Sequence, residues 1–141
     1  MAEREETERL IRSARVRIRA LEDAYGKEEY DEIINTAYSI MFMAARATVN
    51  HLGADANNHR QVSSIFRKEL IGRRIVEKKY EDYLRKIRKY REDFMEGERE
   101  QFDKEKLGAI VKGCKDFINI LGKVIKKYEE PIIDYDLGDY A

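Results

Sequence analysis

The chain has 141 residues, of which 43% are hydrophobic and 40% are charged, and its 28 basic residues balance its 28 acidic ones. This composition excludes a disordered polypeptide, and no apolar run approaches the roughly 20 residues that cross a bilayer, which excludes a membrane-spanning protein. The polar, acidic N-terminus is unlike a signal peptide and the one cysteine, Cys114, cannot form an internal disulfide, so we expect a cytoplasmic protein.

Helix-forming residues dominate the composition. There is one proline and there are eight glycines, while Lys, Arg, Glu, Ala and Leu are abundant, which favours helices over sheets. The same dense mixed charge is typical of proteins from thermophiles, where surface ion-pair networks are common. Helix propensity alone also accounts for these residues, so a thermophilic origin is one of two interpretations.

Apolar residues at helical spacing predict five helices. They cover residues 3–25, 28–52, 59–71 and 76–95, and the fifth begins near residue 103. Asn58, with Gln61 three residues later, and Asp103 are the expected N-cap residues of the third and fifth helices. Pro131 forbids continuation of the fifth helix. The second helix is apolar around most of its circumference, which predicts that it is the most buried.

The fourth helix carries the most regular apolar stripe. Its members alternate at spacings of four and three residues, and they are Val76, Tyr80, Tyr83, Ile87, Tyr90 and Phe94. We interpret this stripe as core packing. Because tyrosine is favoured at protein interfaces, a contact with a second copy of the chain is the alternative.

The connections between the predicted helices are short, which makes neighbouring helices antiparallel. The expected fold is all-α, an up-down antiparallel bundle of four long helices plus one shorter helix. We assign residues 1–128 to this bundle and residues 129–141 to an acidic tail that is extended or disordered. Residues 67–91 hold eleven bases against four acids, and the tail holds five acids and no base. This asymmetry is either a solvated helix face beside a frayed terminus or an anion-binding surface with a masking segment.

Motifs for metal and phosphate-loop chemistry are missing from the sequence. The two histidines, His51 and His59, belong to no His-x-x-x-His pair and to no Glu-x-x-His motif. Neither a Gly-rich phosphate loop nor a Gly-x-Ser-x-Gly nucleophile motif occurs. Cys114 lies within the apolar stripe of the fifth helix, where a thiol usually packs as a small apolar side chain. We therefore expect neither a metal nor a cofactor.

One basic residue lies beside the apolar stripe of the fourth helix. At about 100° per residue, Arg91 falls about 60° from the centre of the stripe, against about 120° for Arg88 and about 100° on the other flank for Asp93. A half-buried guanidinium needs an anionic partner, and either Asp93 or a bound phosphate would serve. His59, with an ordinary pKa near 6.5, either transfers protons or only donates hydrogen bonds at a helix N-terminus.

Three segments, in order, resemble motifs of the HEPN family (higher eukaryotes and prokaryotes nucleotide-binding domains). Residues 36–47, T-A-Y-S-I-M-F-M-A-A-R-A, are similar to the helix motif A-Y-Y-A-M-F-x-A-A-R-A. Residues 59–70 are similar to H-R-x-V-x-x-x-F-x-K-x-(F/L), and residues 88–94 are similar to R-x-x-A-D-Y. The resemblance spans about residues 10–125, which is nearly the whole chain.

The resemblance implies a helical homodimer tied to nucleotides and RNA, which in many family members is the partner of a minimal nucleotidyltransferase in a toxin–antitoxin type of system. Ribonucleases of the family work without a metal and use an Arg-x4–6-His motif. Here no histidine follows Arg88, and Asp93 stands five positions after it. We therefore expect a binding module more than an enzyme. The alternatives are a ribonuclease with a variant site of Arg91, Asp93 and His59, and a purely structural helical domain.

The candidate ligand-binding residues are Arg88, Arg91, Asp93, His59 and Tyr38. The arginine of the third motif is shifted by one position relative to the family pattern. Either Arg88 or Arg91 therefore holds the family's arginine position.

Overall fold

Helices make up nearly all the regular structure in the computed structural model, which describes residues 2–133. The elements in chain order are α1 (Ala2–Gly26), a 3-10 turn (Tyr30–Glu32), α2 (Ile33–His51), α3 (His59–Ile65), a π-helical segment (Phe66–Ile71), α4 (Lys78–Met95) and α5 (Lys104–Lys127). No strand occurs between residues 2 and 133. The predicted all-α bundle of four long helices and one shorter helix is confirmed.

Helix α2 forms the centre of the bundle. It contacts α1, α3, α4 and α5, and twelve of its nineteen residues are buried, against ten of twenty-four in α5. A helix that is apolar on most sides has to be covered on most sides, because apolar surface is expelled from water. The prediction that this helix is the most buried is confirmed.

Side-chain caps fix the start of two helices, as predicted. The Asn58 side chain accepts a hydrogen bond from the Gln61 backbone N–H at 3.0 Å, and Asp103 accepts one from the Lys106 backbone N–H at 2.8 Å. The Gln61 side chain returns a bond to the chain before the helix, where its Oε1 accepts from the Asn57 N–H at 3.0 Å. These bonds satisfy backbone donors that a helix start leaves unpaired.

Several details of the predicted helices are wrong. Helix α2 begins at Ile33 rather than residue 28, after the separate 3-10 turn, and the predicted third helix changes to π-helical geometry after Ile65. The helical spacing of apolar residues also predicts Leu10 as a buried position of α1, but Leu10 is half-buried and its neighbour Ile11 is buried. In α4 Leu84 is buried together with Tyr80, Ile87 and Phe94, whereas Tyr83, which the stripe predicts to be buried, is half-buried. Consecutive residues of a helix are about 100° apart, so sequence spacing alone does not decide which of two apolar neighbours is buried.

The chain after α5 folds back onto the end of α2. The backbone N–H groups of Ile132 and Ile133 both donate to the Leu52 carbonyl at 2.9 Å, and Ile133 is buried. Gly53 permits this approach, because it has a φ of +124° and a Cβ there would lie 2.5 Å from the Ile133 carbonyl oxygen. Residues 129–133 are therefore non-helical, with Ile132 half-buried and Ile133 buried, and residues 134–141 lie outside the described part.

None of the helices within residues 2–133 combines the length and the apolar character needed to cross a bilayer.

Candidate functional site

Three rings from two helices form an aromatic cluster at one edge of the bundle. Tyr38 and Phe42 lie one turn apart on α2 and are buried, with ring centroids 4.9 Å apart. His59, the first residue of α3, lies against Phe42 with the ring centroids 4.5 Å apart and the rings tilted by 32°, and it meets Tyr38 edge-on at 5.1 Å. The imidazole remains exposed to solvent. The cluster thus holds the exposed His59 imidazole against the buried rings of Tyr38 and Phe42.

The Tyr38 hydroxyl lies against the edge of the His59 imidazole. Its oxygen is 3.0 Å from Nε2 and is also in hydrogen-bonding contact with Nδ1. A neutral imidazole keeps one nitrogen with a free lone pair, to which a phenolic hydroxyl donates. The same hydroxyl can also accept from a ring N–H, so Tyr38 fixes the orientation of the imidazole whichever of its nitrogens carries a proton.

Helix α4 adds two guanidinium groups to this cluster. The Arg91 guanidinium lies over the Tyr38 ring, 4.5 Å from its centroid, and is half-buried. In the described part of the chain Arg91 forms no ion pair, whereas Arg88 is exposed and its Nε lies 3.6 Å from Glu92 Oε1. The cation–π contact orients Arg91 without using its donors, which remain available to a ligand.

The environment of His59 favours its neutral form. Partial burial lowers its pKa from the ordinary value of 6.5, and the positive charges of Arg88 and Arg91 lower it further. Arg91 lies over the ring of Tyr38, whose hydroxyl contacts His59, so this contact adds positive charge beside the imidazole. An anion held between these groups would cancel the repulsion and stabilise a proton on His59.

A polar clamp holds the loop that leads to His59. The Ala56 N–H donates to Asn50 Oδ1 at 2.8 Å, and the Ala56 carbonyl accepts from Asn50 Nδ2 at 3.3 Å and from Arg46 Nε at 3.1 Å. Ala56 is fully buried. Because His59 follows Ala56 by three residues, the clamp positions the imidazole relative to α2.

Asp93 lies apart from the other candidate residues. Its carboxylate is 3.3 Å from Lys89 Nζ and 3.2 Å from Gln101 Nε2, so it joins α4 to the turn before α5. Asp93 is therefore not the partner of Arg91 that the sequence offered. Two positions along a helix turn a side chain by about 200°, which points it away from Arg91.

The structure thus brings together Tyr38, His59, Arg88 and Arg91 and leaves Asp93 out. Sequence reasoning missed Phe42, although its position four residues after Tyr38 on one helix face was a usable signal. Among the described residues, no three His, Cys, Asp or Glu side chains gather in a group suited to a metal ion. What the assembled groups offer is two guanidinium groups, an imidazole and a phenol, which together suit an oxyanion.

Comparison with known proteins gives one match. The family model of the HEPN domain matches residues 7–125, which include every residue of the cluster described above. No curated protein and no solved structure gives a significant match.

Proposed function

The chain belongs to the HEPN domain family, and from the geometry of its site we propose that it is a binding module for the phosphate groups of nucleotides or RNA. The observation that carries this proposal is the Arg91 guanidinium, which is held over Tyr38 with no carboxylate partner in the described chain. Membership of a family connected with nucleotides and RNA supplies the class of ligand.

The chemistry of the cluster supports a phosphate over a neutral ligand. Arg91 offers a planar fork of N–H donors that matches two phosphate oxygens, and the positive charge of Arg88 also acts on His59 and lowers its pKa. On α4, Glu92 pairs with Arg88 and Asp93 pairs with Lys89, so Arg91 is left with an unneutralised positive charge in the described part of the chain. A bound phosphate would neutralise this local excess of positive charge.

Binding of fluorescently labelled single-stranded RNA, measured by anisotropy, tests this proposal. We expect Arg91→Gln to weaken binding roughly tenfold, since it removes a charge-assisted contact, and to lower the salt slope of the affinity by roughly one. The matched control is Arg85→Gln, because Arg85 is an exposed arginine of the same helix that pairs with Asp82 at 3.1 Å. Equal affinities for the wild type and Arg91→Gln would overturn the proposal and favour a structural role for Arg91.

The family resemblance extends the proposal to partners. We propose that the chain acts as a homodimer and as the partner of a minimal nucleotidyltransferase in a toxin–antitoxin type of system. Light scattering on the purified chain tests the dimer, and a monomer at all concentrations would contradict it. Co-purification with a co-expressed nucleotidyltransferase tests the second partner.

A second candidate function is metal-independent cleavage of RNA, and one observation favours it. His59 has a lowered pKa and lies against the Tyr38 hydroxyl beside two arginines. A neutral imidazole can take the proton of a ribose 2′-hydroxyl, whose oxygen then attacks the adjacent phosphorus while the arginines stabilise the negative charge that develops there. The bond from phosphorus to the 5′-oxygen breaks, and the departing 5′-oxygen takes a proton from the imidazolium or from water, which leaves a 2′,3′-cyclic phosphate and a 5′-hydroxyl. Asp93 has no part in this version of the site.

Incubation of the purified chain with RNA decides between the two functions. Cleavage requires that His59→Gln abolish the activity while RNA binding stays within about threefold, because one hydrogen bond contributes little to affinity. Intact RNA with the wild-type chain at every concentration, together with normal binding, would leave the binding module as the function.

A further inference from the structure

A separate cavity of about 190 Å³ lies between α4 and α5. Buried apolar side chains of Met41, Ile87 and Ile110 form its inner wall, and the half-buried rings of Tyr83 and Tyr90 flank it. None of the residues of the Arg91 cluster lines it. The space exceeds the roughly 150 Å³ of an apolar cavity known to hold benzene, so one aromatic ring fits.

Two lysines give this apolar cavity a positive rim. Lys86 is exposed, and Lys106 is half-buried with its Nζ 4.6 Å from the Tyr90 ring centroid and 2.9 Å from Gln101 Oε1. In the part of the chain that the structure describes, neither ammonium has a carboxylate within 4.0 Å, and no acidic residue lines the cavity. An anionic group at the rim would therefore meet two unneutralised charges.

A glycine in the middle of α5 keeps this space open. Gly113 lines the cavity, and a Cβ built on it would meet no atom within 4 Å. Glycine is less favourable than alanine inside a helix, and here the backbone needs no unusual conformation. Packing within the chain therefore does not require a glycine at position 113. Its lack of a side chain leaves space beside Tyr83 and Tyr90.

We propose that this cavity binds a small organic anion that carries one aromatic ring, such as an aromatic carboxylate. The ring packs between Tyr83 and Tyr90 against the buried wall, and the carboxylate lies between Lys86 and Lys106. The site is independent of the phosphate site, so either can exist without the other.

Titration of the isotope-labelled full chain with benzoate, followed by amide NMR shifts, tests this site. We expect saturable shifts at Ala109 and Gly113 with a dissociation constant that is roughly millimolar, as suits a ligand of this size. Benzyl alcohol, which has a similar shape but no charge, should bind at least about threefold more weakly, since exposed ion pairs contribute modestly.

Variants distinguish benzoate binding in the cavity from nonspecific binding elsewhere on the surface. Gly113→Leu fills the space with a better helix former and should abolish the shifts at Ala109, whereas Lys106→Gln should weaken benzoate by roughly three- to fivefold. The matched control is Lys112→Gln, an exposed lysine of α5 outside the cavity. Shifts that do not saturate, or equal binding of benzyl alcohol and benzoate, would overturn the proposal. So would self-association that occupies the Gly113 face without benzoate.

Discussion

The hydrogen bonds between Asn50 and Ala56 allow us to predict how much the Asn50→Ala variant loses in the free energy of unfolding. The substitution removes two hydrogen bonds and leaves the Ala56 N–H without its partner in the described structure, in a residue that is fully buried. The Ala56 carbonyl keeps its bond from Arg46. An unsatisfied buried donor costs about 1–3 kcal/mol, so we expect a loss of about 2 kcal/mol in the free energy of unfolding.

A matched control removes the effect of helix propensity. Alanine is a better helix former than asparagine, and Asn119 is an exposed residue within α5. Asn119→Ala therefore carries the same gain in propensity with no buried bond to lose. Urea unfolding followed by circular dichroism gives both values, and the difference between the two variants measures the clamp.

The same variant tests whether the clamp positions the candidate site. Once the loop is released, the contact between the His59 imidazole and the Tyr38 hydroxyl should weaken. The His59 side-chain NMR signals should therefore move in Asn50→Ala and not in Asn119→Ala. If Asn50→Ala is as stable as Asn119→Ala, the reasoning about the buried Ala56 amide is wrong.

Two further predictions concern titration. The pKa of His59 in the folded chain lies below its ordinary 6.5, so the folded state binds fewer protons than the unfolded one between these two values. The free energy of unfolding should therefore fall as the pH drops from 6.5 toward the lowered pKa. His59→Gln should remove this pH dependence in urea unfolding, and an unchanged pH dependence would contradict the prediction. Burial raises the pKa of the Cys114 thiol to about 12, so a thiol reagent at mildly alkaline pH should modify only the unfolded chain, and rapid reaction of the native protein would refute its burial.

The fold followed from the sequence because its signals are local. Helix periodicity depends on residues three and four apart, and the caps at Asn58 and Asp103 depend on residues three apart, so both are visible along the chain. The π-helical segment after Ile65 was not predicted, because its geometry depends on packing against other helices as much as on its own residues.

The candidate site was only partly predictable, because it depends on contacts between residues that are far apart in the sequence. The helical angle of Arg91 predicted a half-buried guanidinium, and the structure places it at that depth. Its neighbours Tyr38 and His59 come from two other helices, and periodicity does not say how one helix is rotated against another. The family motifs singled out these residues, but only the packed bundle shows that they meet and that Asp93 does not join them.

The proposed phosphate site requires that Arg91 and His59 contact the same anion. NMR titration of the full chain with a nucleoside monophosphate, observed at the arginine Nε–Hε groups and at the His59 imidazole, tests it most directly. We expect saturable shifts at Arg91 and a rise in the His59 pKa toward or above 6.5, with Arg85 unmoved. Equal shifts at Arg85 and Arg91, or an unchanged His59 pKa at saturating nucleotide, would contradict it.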